Sequence, residues 1–236
     1  MSSYKTHGKQ RFKPSFLRRQ GKMTKAQKRH YREHWIRFGL DLRYKEQFSA
    51  EEFFGNQNPV CLEIGFGKAE TLLHRATKEP ERNFIGIEVH KPAIASCLGK
   101  LAELGLENVL LLKKDAFLIL LDNLKDTKIE EVWVFFPKPW EEEERRVLRG
   151  FFLEILEPHL ESHAKLYCAT DVLEYAEFAI QVFEENVKWK NQAEKGRTTD
   201  RPVWRQNSKY EQKGIEEGRV NVDFCFQYRG RVENSI

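Results

Sequence analysis

The sequence predicts an α/β domain: a largely parallel sheet with helices on both faces. Three observations carry this. Short apolar runs rich in Val, Ile, Leu and Phe recur between stretches of helical period, the alternation of a parallel sheet. The first, Val60-Cys-Leu-Glu-Ile, runs into Gly65-Phe-Gly67, a glycine turn at the end of a buried strand. Acidic residues close three successive runs, at Glu63, Glu88 and Asp115.

In chain order, the first element is a cationic arm. Of 40 Lys and Arg residues, eleven fall within residues 1–32, where there is no Asp or Glu, so the remaining 29 face 36 acids. Such an arm on an acidic body suits an anionic partner, and a solvated, disordered tail is the other reading of the same charge. Phe12, Phe16, Leu17, Tyr31 and Trp35 interleave with Arg11, Arg18, Arg19, Arg29 and Arg32. Guanidinium groups can pair with phosphates while aromatic rings stack on bases or dock on the body, and docking is the expectation for Trp35. Thr24, with Gln27 three residues on, caps a helix over about residues 25–40.

Residues 60–64 form the first strand. A helix over 68–78 turns Leu72, Leu73 and Ala76 inward. Residues 84–89 are the second strand, and the next helix, over 92–103, opens at Pro92 and ends at Gly105. A third strand over 109–112 ends at Lys113-Lys114-Asp115, followed by a short helix over 116–121. Residues 131–136 are the fourth strand, stopped by Pro137 and Pro139. A helix over 145–156, a strand over 164–170, a helix over 173–185 and a late strand over 220–228 complete the pattern. Residues 188–219 are polar and aperiodic, as a functional loop would be. The chain divides into an arm and helix, residues 1–40, and a folded body, residues 41–236.

At 236 residues and 40% hydrophobic, the chain is long enough for one core. Cys61, Cys97, Cys168 and Cys225 form no C-x-x-C pair and read as reduced core residues, with no disulfide frame and no metal site expected. No apolar stretch follows Met1 and none is long enough to span a bilayer, so a cytoplasmic protein without a membrane partner is expected.

The glycine turn poses the question of its ligand. A dinucleotide fingerprint requires G-x-G-x-x-G, but Glu70 takes the third glycine position and Glu63 lies in the strand end. Phosphates would meet two carboxylates there. S-adenosylmethionine, cationic and free of phosphate, suits that charge. An ordinary turn is the other reading of a lone G-x-G. Glu88 lies 21 residues after Gly67, a spacing at which an acid accepts hydrogen bonds from ribose hydroxyls. Asp115 is placed to accept from an adenine amino group. Each acid alone reads as a helix cap or a solvated group. Together Glu63, Gly65, Gly67, Glu88 and Asp115 point to an adenosine site.

More specific stretches follow. Phe135-Phe-Pro-Lys-Pro-Trp140 ends the fourth strand and Ala169-Thr-Asp171 the fifth. Ser208-Lys-Tyr-Glu-Gln-Lys-Gly214 lies in the late polar segment, and Ser15-Phe-Leu-Arg-Arg-Gln-Gly-Lys-Met-Thr-Lys-Ala-Gln27 in the arm. With Leu62-Glu-Ile-Gly-Phe-Gly67 and Gly86-Ile-Glu-Val-His90, these resemble the bacterial tRNA (guanine-N7)-methyltransferases, the TrmB family, in the family's order over about residues 15–228. The resemblance implies a class I S-adenosylmethionine-dependent methyltransferase fold, Rossmann-like, with a largely parallel seven-stranded sheet. It implies S-adenosylmethionine as cofactor, tRNA as partner and methyl transfer to N7 of a guanine in the tRNA variable loop; the protein is expected to be a monomer or homodimer, and the sequence leaves open which. It further implies that Asp171, Ser208, Lys209, Tyr210 and Glu211 approach the guanine or its nucleotide. Arg18, Arg19, Lys22, Lys25, Arg145 and Arg146 are the candidate RNA contacts.

The departures are as informative. The family's Pro-Asp-Pro-Trp carries an aspartate with a cofactor and catalytic role, where this chain has Lys138, so the catalytic residue is left open. The family's basic run after the tryptophan is replaced by Glu141, Glu142, Glu143 and Glu144. Its Thr-Lys-Phe-Glu reads Ser208-Lys-Tyr-Glu here, with extra residues around Trp204-Arg205-Gln206-Asn207. Guanine N7 carries a free lone pair, so alignment alone can supply much of the rate. Positive charge nevertheless moves onto the purine, and an ammonium about 4 Å away opposes it by on the order of 4 kcal/mol before screening. Outward pairing of Lys138 with residues 141–144 would relieve that, and a solvated helix N-terminus is the simpler reading of the acidic run. Two alternatives therefore stand beside an active tRNA methyltransferase. One is a non-catalytic or weakly active tRNA-binding paralogue. The other is a methyltransferase acting on a different substrate.

Overall fold

The computed structural model describes residues 4–5, 11–16 and 21–230. A short antiparallel pair, β1 (Tyr4–Lys5) and β2 (Arg11–Phe12), opens the arm. The central sheet is formed by β3 (Gly39–Leu40), β4 (Val60–Ile64), β5 (Asn83–Ile87), β6 (Val109–Leu112), β7 (Ile129–Phe135), β8 (Leu160–Thr170), β9 (Trp189–Asn191) and β10 (Val222–Tyr228). Their order is β3-β6-β5-β4-β7-β8-β10-β9, parallel from β3 to β8, with β10 antiparallel to both of its neighbours. Among the described residues this is one strand more than the seven expected, and the short edge strand β3 lies directly after the arm helix. The helices are α1 (Lys25–Phe38), α2 (Ala50–Phe54), α3 (Glu70–Lys78), α4 (Lys91–Leu104), α5 (Ala116–Leu118), α6 (Gly150–Leu156), α7 (Leu173–Glu184) and α8 (Lys209–Glu216). No described helix is long and apolar enough to cross a membrane.

The central strands β4, β5 and β6 are buried along their whole length, on both faces, which is why they read as short apolar runs. Val60, Leu62 and Ile64 face one core layer, with Phe117, Phe152 and Tyr175. Cys61 faces the other, with Leu72, Phe84, Cys97 and Trp133. All four cysteines are buried free thiols. Trp35 packs against the second layer, as its docking reading requires. Thr24 starts α1 with a reciprocal pair: its hydroxyl accepts the Gln27 N–H at 3.2 Å, and the Gln27 side chain accepts the Thr24 N–H at 2.9 Å. Gln27 also donates to Ser96 Oγ at 2.9 Å, which pins the start of α1 to α4.

Two segments differ from the sequence expectation. The helix expected over 145–156 begins only at Gly150, and the acidic run ends in a single tight turn at Glu143–Arg145. The Arg149 guanidinium donates to the carbonyls of Glu144 and Arg146, which a helix would have used itself. The stretch 188–219 is not one loop, for it contains β9 and α8. Its centre is a buried charge cluster. Arg205 donates to both oxygens of Asp223, at 3.0 and 2.9 Å, and to Glu211 Oε2 at 2.9 Å. Beside it, Trp204 lies 5.1 Å from the rings of both Trp133 and Tyr167, under the Arg75 guanidinium.

Removing one partner from a buried ion pair costs about 3–5 kcal/mol, because the other charge stays buried. Arg205→Ala is therefore expected to lower stability by about that amount, with Arg205→Lys intermediate because one ammonium cannot serve both carboxylates. Urea denaturation of the three proteins measures this.

Candidate active site at the carboxyl end of the sheet

The carboxyl ends of β4, β5, β6 and β7 open into one cavity of about 330 Å³. Its wall includes Gly65, Gly67, Glu88, His90, Asp115, Phe136 and Lys138, with Ser15 and Phe16 of the arm. The glycine turn builds the floor. Gly65 and Gly67 have φ of 76° and 53°, the left-handed backbone that favours glycine, and no side-chain atom lies where a Cβ would stand at either. Glu88 closes the turn. Its Oε2 accepts the Gly67 N–H at 3.1 Å, and its Oε1 accepts those of Val89 and His90 at 2.7 and 2.9 Å.

Asp115 caps α5, with Oδ1 accepting the Phe117 N–H at 2.8 Å. Its Oδ2 is buried on the cavity wall and has no partner. Burial pushes this carboxyl up to about 6, against the pull of the Phe117 N–H and Arg149. Glu63 does not line the cavity. It lies behind the glycine turn with Oε2 unbonded, and burial, with Glu70 and Glu88 nearby, pushes it up to about 8.

Phe136 continues the pairing of β7 by donating to Ala169 O at 2.7 Å, then takes a left-handed φ of 49°. That turn for a bulky residue is costly and marks a constrained site. Lys138 follows on the cavity wall, with Nζ 3.9 Å from the centre of the Trp140 ring. The Arg145 guanidinium lies 3.3 Å from the same ring. Trp140 in turn donates its indole N–H to Ser15 O at 2.9 Å, and Lys13 pairs with Glu144 at 2.9 Å, so the arm is strapped over this rim. Gly21 lies against His90: a Cβ there would come within 2.7 Å of Nε2.

On the far side of β7, Asp171 follows β8 and pairs with Arg219 at 2.8 Å. The Ser208 hydroxyl accepts the Glu211 N–H at 3.0 Å and so heads α8. Three expectations need correction here. The Glu211 side chain is 0% exposed and is taken by Arg205 and Arg201, so it fixes the segment from within and does not face a base. Arg146 is buried, donating to Trp140 O and to Glu174, each at 2.7 Å, and is not free for RNA. Lys138 pairs with none of Glu141, Glu142, Glu143 and Glu144 among the described residues; Glu142 pairs with Arg145 and Glu144 with Lys13. Arg145 is partly buried on Trp140, whereas Lys22 and Lys25 are exposed. Lys209 and Tyr210 are described only as part of the α8 backbone, and Arg18 and Arg19 lie outside the described residues.

Sequence reasoning missed Arg205, Arg219 and Trp140 as organisers of the site. The extra residues at 204–207 were the signal for Arg205. Nothing in the local sequence marks Arg219 as the partner of Asp171.

Comparison with known proteins agrees with this geometry. Residues 57–224 match a family model described as "Putative methyltransferase". The tRNA (guanine-N(7)-)-methyltransferase of Aliivibrio salmonicida is 35% identical over 216 residues, covering 90% of each chain. That of Halorhodospira halophila is 31% identical over 218 residues, covering 91% of this chain and 94% of its own. Among solved structures, the 16S rRNA methyltransferase KamB superposes with a TM-score of 0.56 at 15% identity, covering 78% of this chain and 95% of that one. TrmN from Thermus thermophilus gives 0.53 at 11%, covering 75% and 46%. These two structures establish the fold, a class I methyltransferase sheet. The two sequence relatives span nearly the whole chain, and on that ground this chain belongs to the tRNA (guanine-N(7)-)-methyltransferase family.

Proposed function

We propose that this protein methylates N7 of a guanine in tRNA, in the variable loop, with S-adenosylmethionine as the methyl donor. The observation that carries the reading is the unpartnered Asp115 oxygen on the wall of a glycine-floored cavity, in a chain with these relatives. The residues present fit the donor. Asp115 Oδ2 is an acceptor for an adenine amino group, and Glu88 stands at the next strand end for ribose hydroxyls. Gly65 and Gly67 leave room for the methionine part. The acidic surroundings, Glu63 behind the turn included, favour its ammonium and sulfonium charges. About 330 Å³ lies within the range for small-molecule sites, roughly 300–1,000 Å³.

Held by Gly65, Gly67, Glu88 and Asp115, the donor would supply an electrophilic methyl group to the free lone pair of guanine N7, with the C–S electron pair going back to sulfur and the positive charge to the purine. No proton leaves N7, so the chain's residues act by alignment and by excluding water. In this reading Asp171, which pairs with Arg219 beyond β7, accepts from the guanine N–H groups. Phe16 and Ser15 close the rim. Lys22 and Lys25 stand exposed before and at the start of α1, near that rim, where they draw in the phosphate backbone. Four buried thiols accord with a reduced, cytoplasmic setting.

Label transfer from S-adenosylmethionine to unmodified tRNA tests the function. N7-methylguanine in the product supports it, and its absence across several tRNAs defeats it. Replacing Lys22 and Lys25 by Ala is expected to weaken tRNA binding and to reduce its salt slope by about 1 for each phosphate no longer neutralised. Asp115→Asn keeps the Phe117 cap but turns an N–H donor towards the adenine amino group. Calorimetry should show a roughly tenfold loss of donor affinity.

Glu63 predicts a pH effect. Its carboxyl titrates near 4.5 when unfolded and is raised to about 8 in the fold. Between those values the native state holds the extra proton, so stability falls as pH rises through the window. Glu63→Gln should flatten the fall in Tm between pH 5 and pH 8, measured without donor.

A further inference from the structure

We propose that Lys138 donates a hydrogen bond to the keto oxygen of the target guanine and so makes the enzyme selective for guanine over adenine. This rests on the function proposed above and assigns a role to the residue that departs most sharply from the family's pattern.

The cavity wall carries two lysines, Lys114 and Lys138. Lys114 is committed, with Nζ donating to Asn123 Oδ1 at 2.7 Å and to the carbonyls of Arg43 and Leu42 at 3.3 and 3.4 Å. Lys138 pairs with no carboxylate among the described residues. It rests instead on the Trp140 ring at 3.9 Å, a contact that leaves N–H donors available. The ring is a fixed platform, because its indole N–H is held by Ser15 O and Arg145 lies 3.3 Å from the ring centre.

Position supplies the second argument. The acids suited to the nucleoside, Glu88 and Asp115, follow β5 and β6. Asp171 and Arg219 stand beyond β7, at the end of β8 and just before β10. Lys138 leaves the end of β7, between the two groups, where the methyl must cross. The left-handed turn at Phe136 redirects the chain just before it.

Chemistry supplies the third. Guanine presents N7 and O6 as adjacent acceptors on one edge, whereas adenine presents N7 beside an amino donor. With N7 turned to the methyl, the neighbouring group is O6 in guanine and the amino group in adenine. An ammonium there bonds the first and opposes the second. The negative face of Trp140 offsets part of the charge that Lys138 brings near the purine.

The test uses full-length protein and tRNA carrying either guanine or 6-thioguanine at the target position. The thione keeps N7, N1–H and the 2-amino group but replaces O6 by a weak acceptor. Single-turnover methylation at N7 is followed by mass spectrometry for wild type, Lys138→Met and Lys138→Arg. Binding of both tRNAs is measured in parallel with S-adenosylhomocysteine present. Wild type is expected to prefer guanine roughly ten- to hundredfold. Lys138→Met should lose that preference by slowing on guanine, and Lys138→Arg should keep most of it. An equal preference in wild type and Lys138→Met overturns the proposal. If wild type transfers no methyl to guanine, the function above fails, while the binding ratios still read whether Lys138 distinguishes O6. Donor affinity and the binding of guanine tRNA by Lys138→Arg separate a missing hydrogen bond from a disordered rim.

Discussion

One carboxylate holds the binding end of the sheet together. Glu88 accepts three backbone N–H groups, from Gly67, Val89 and His90. The first belongs to the turn after β4, and the other two to the link from β5 into α4. Glycine at 65 and 67 makes the turn possible, but glycine alone would leave it free to move. The Glu88 bond fixes its distance from the start of α4, and with it the depth of the cavity. Everything placed along the rim inherits that geometry: the Asp115 oxygen on one side, Phe136 and Lys138 on the other, and the arm across the top.

The charge of the molecule is sorted by depth. The carboxyls of Glu63 and Asp115 are raised mainly by burial, and neither has both oxygens bonded. A cation entering the cavity would offset a cost the fold already bears. Most of the arm's basic groups stand outside the cavity, at Lys22, Lys25 and along the exposed side of α1. The segment between Phe136 and Arg146 lies on the border. There the guanidinium of Arg145 and the ammonium of Lys138 share one indole ring, and that ring holds the arm.

Much of this was legible in the sequence because it depends on local pattern. The buried strands showed as apolar runs, the turn as two glycines, and the start of α1 as Thr24 with Gln27. Of the acids after β5 and β6, Glu88 was found by its spacing from the glycine turn and Asp115 by its place at the end of an apolar run. What was not legible depends on pairing over distance. Arg146 and Glu211 look like surface charges in isolation, and both are buried because Glu174, Arg205 and Arg201 meet them after folding. The expected helix over 145–156 was shortened by a side chain, Arg149, that claims carbonyls from the preceding turn. α8 was hidden in a polar stretch because its buried positions serve a charge cluster and not an apolar stripe. β3 is too short for any periodicity to reveal.

The bond between the Trp140 indole and the arm ends on a main-chain oxygen, that of Ser15. Every amino acid carries that oxygen. The side chain at 15 can therefore drift without loosening the strap, whereas one residue inserted or deleted between it and α1 would shift the register of the whole leader. Selection on this part of the arm acts on its length more than on its letters, and homologues should tolerate spelling changes there sooner than gaps.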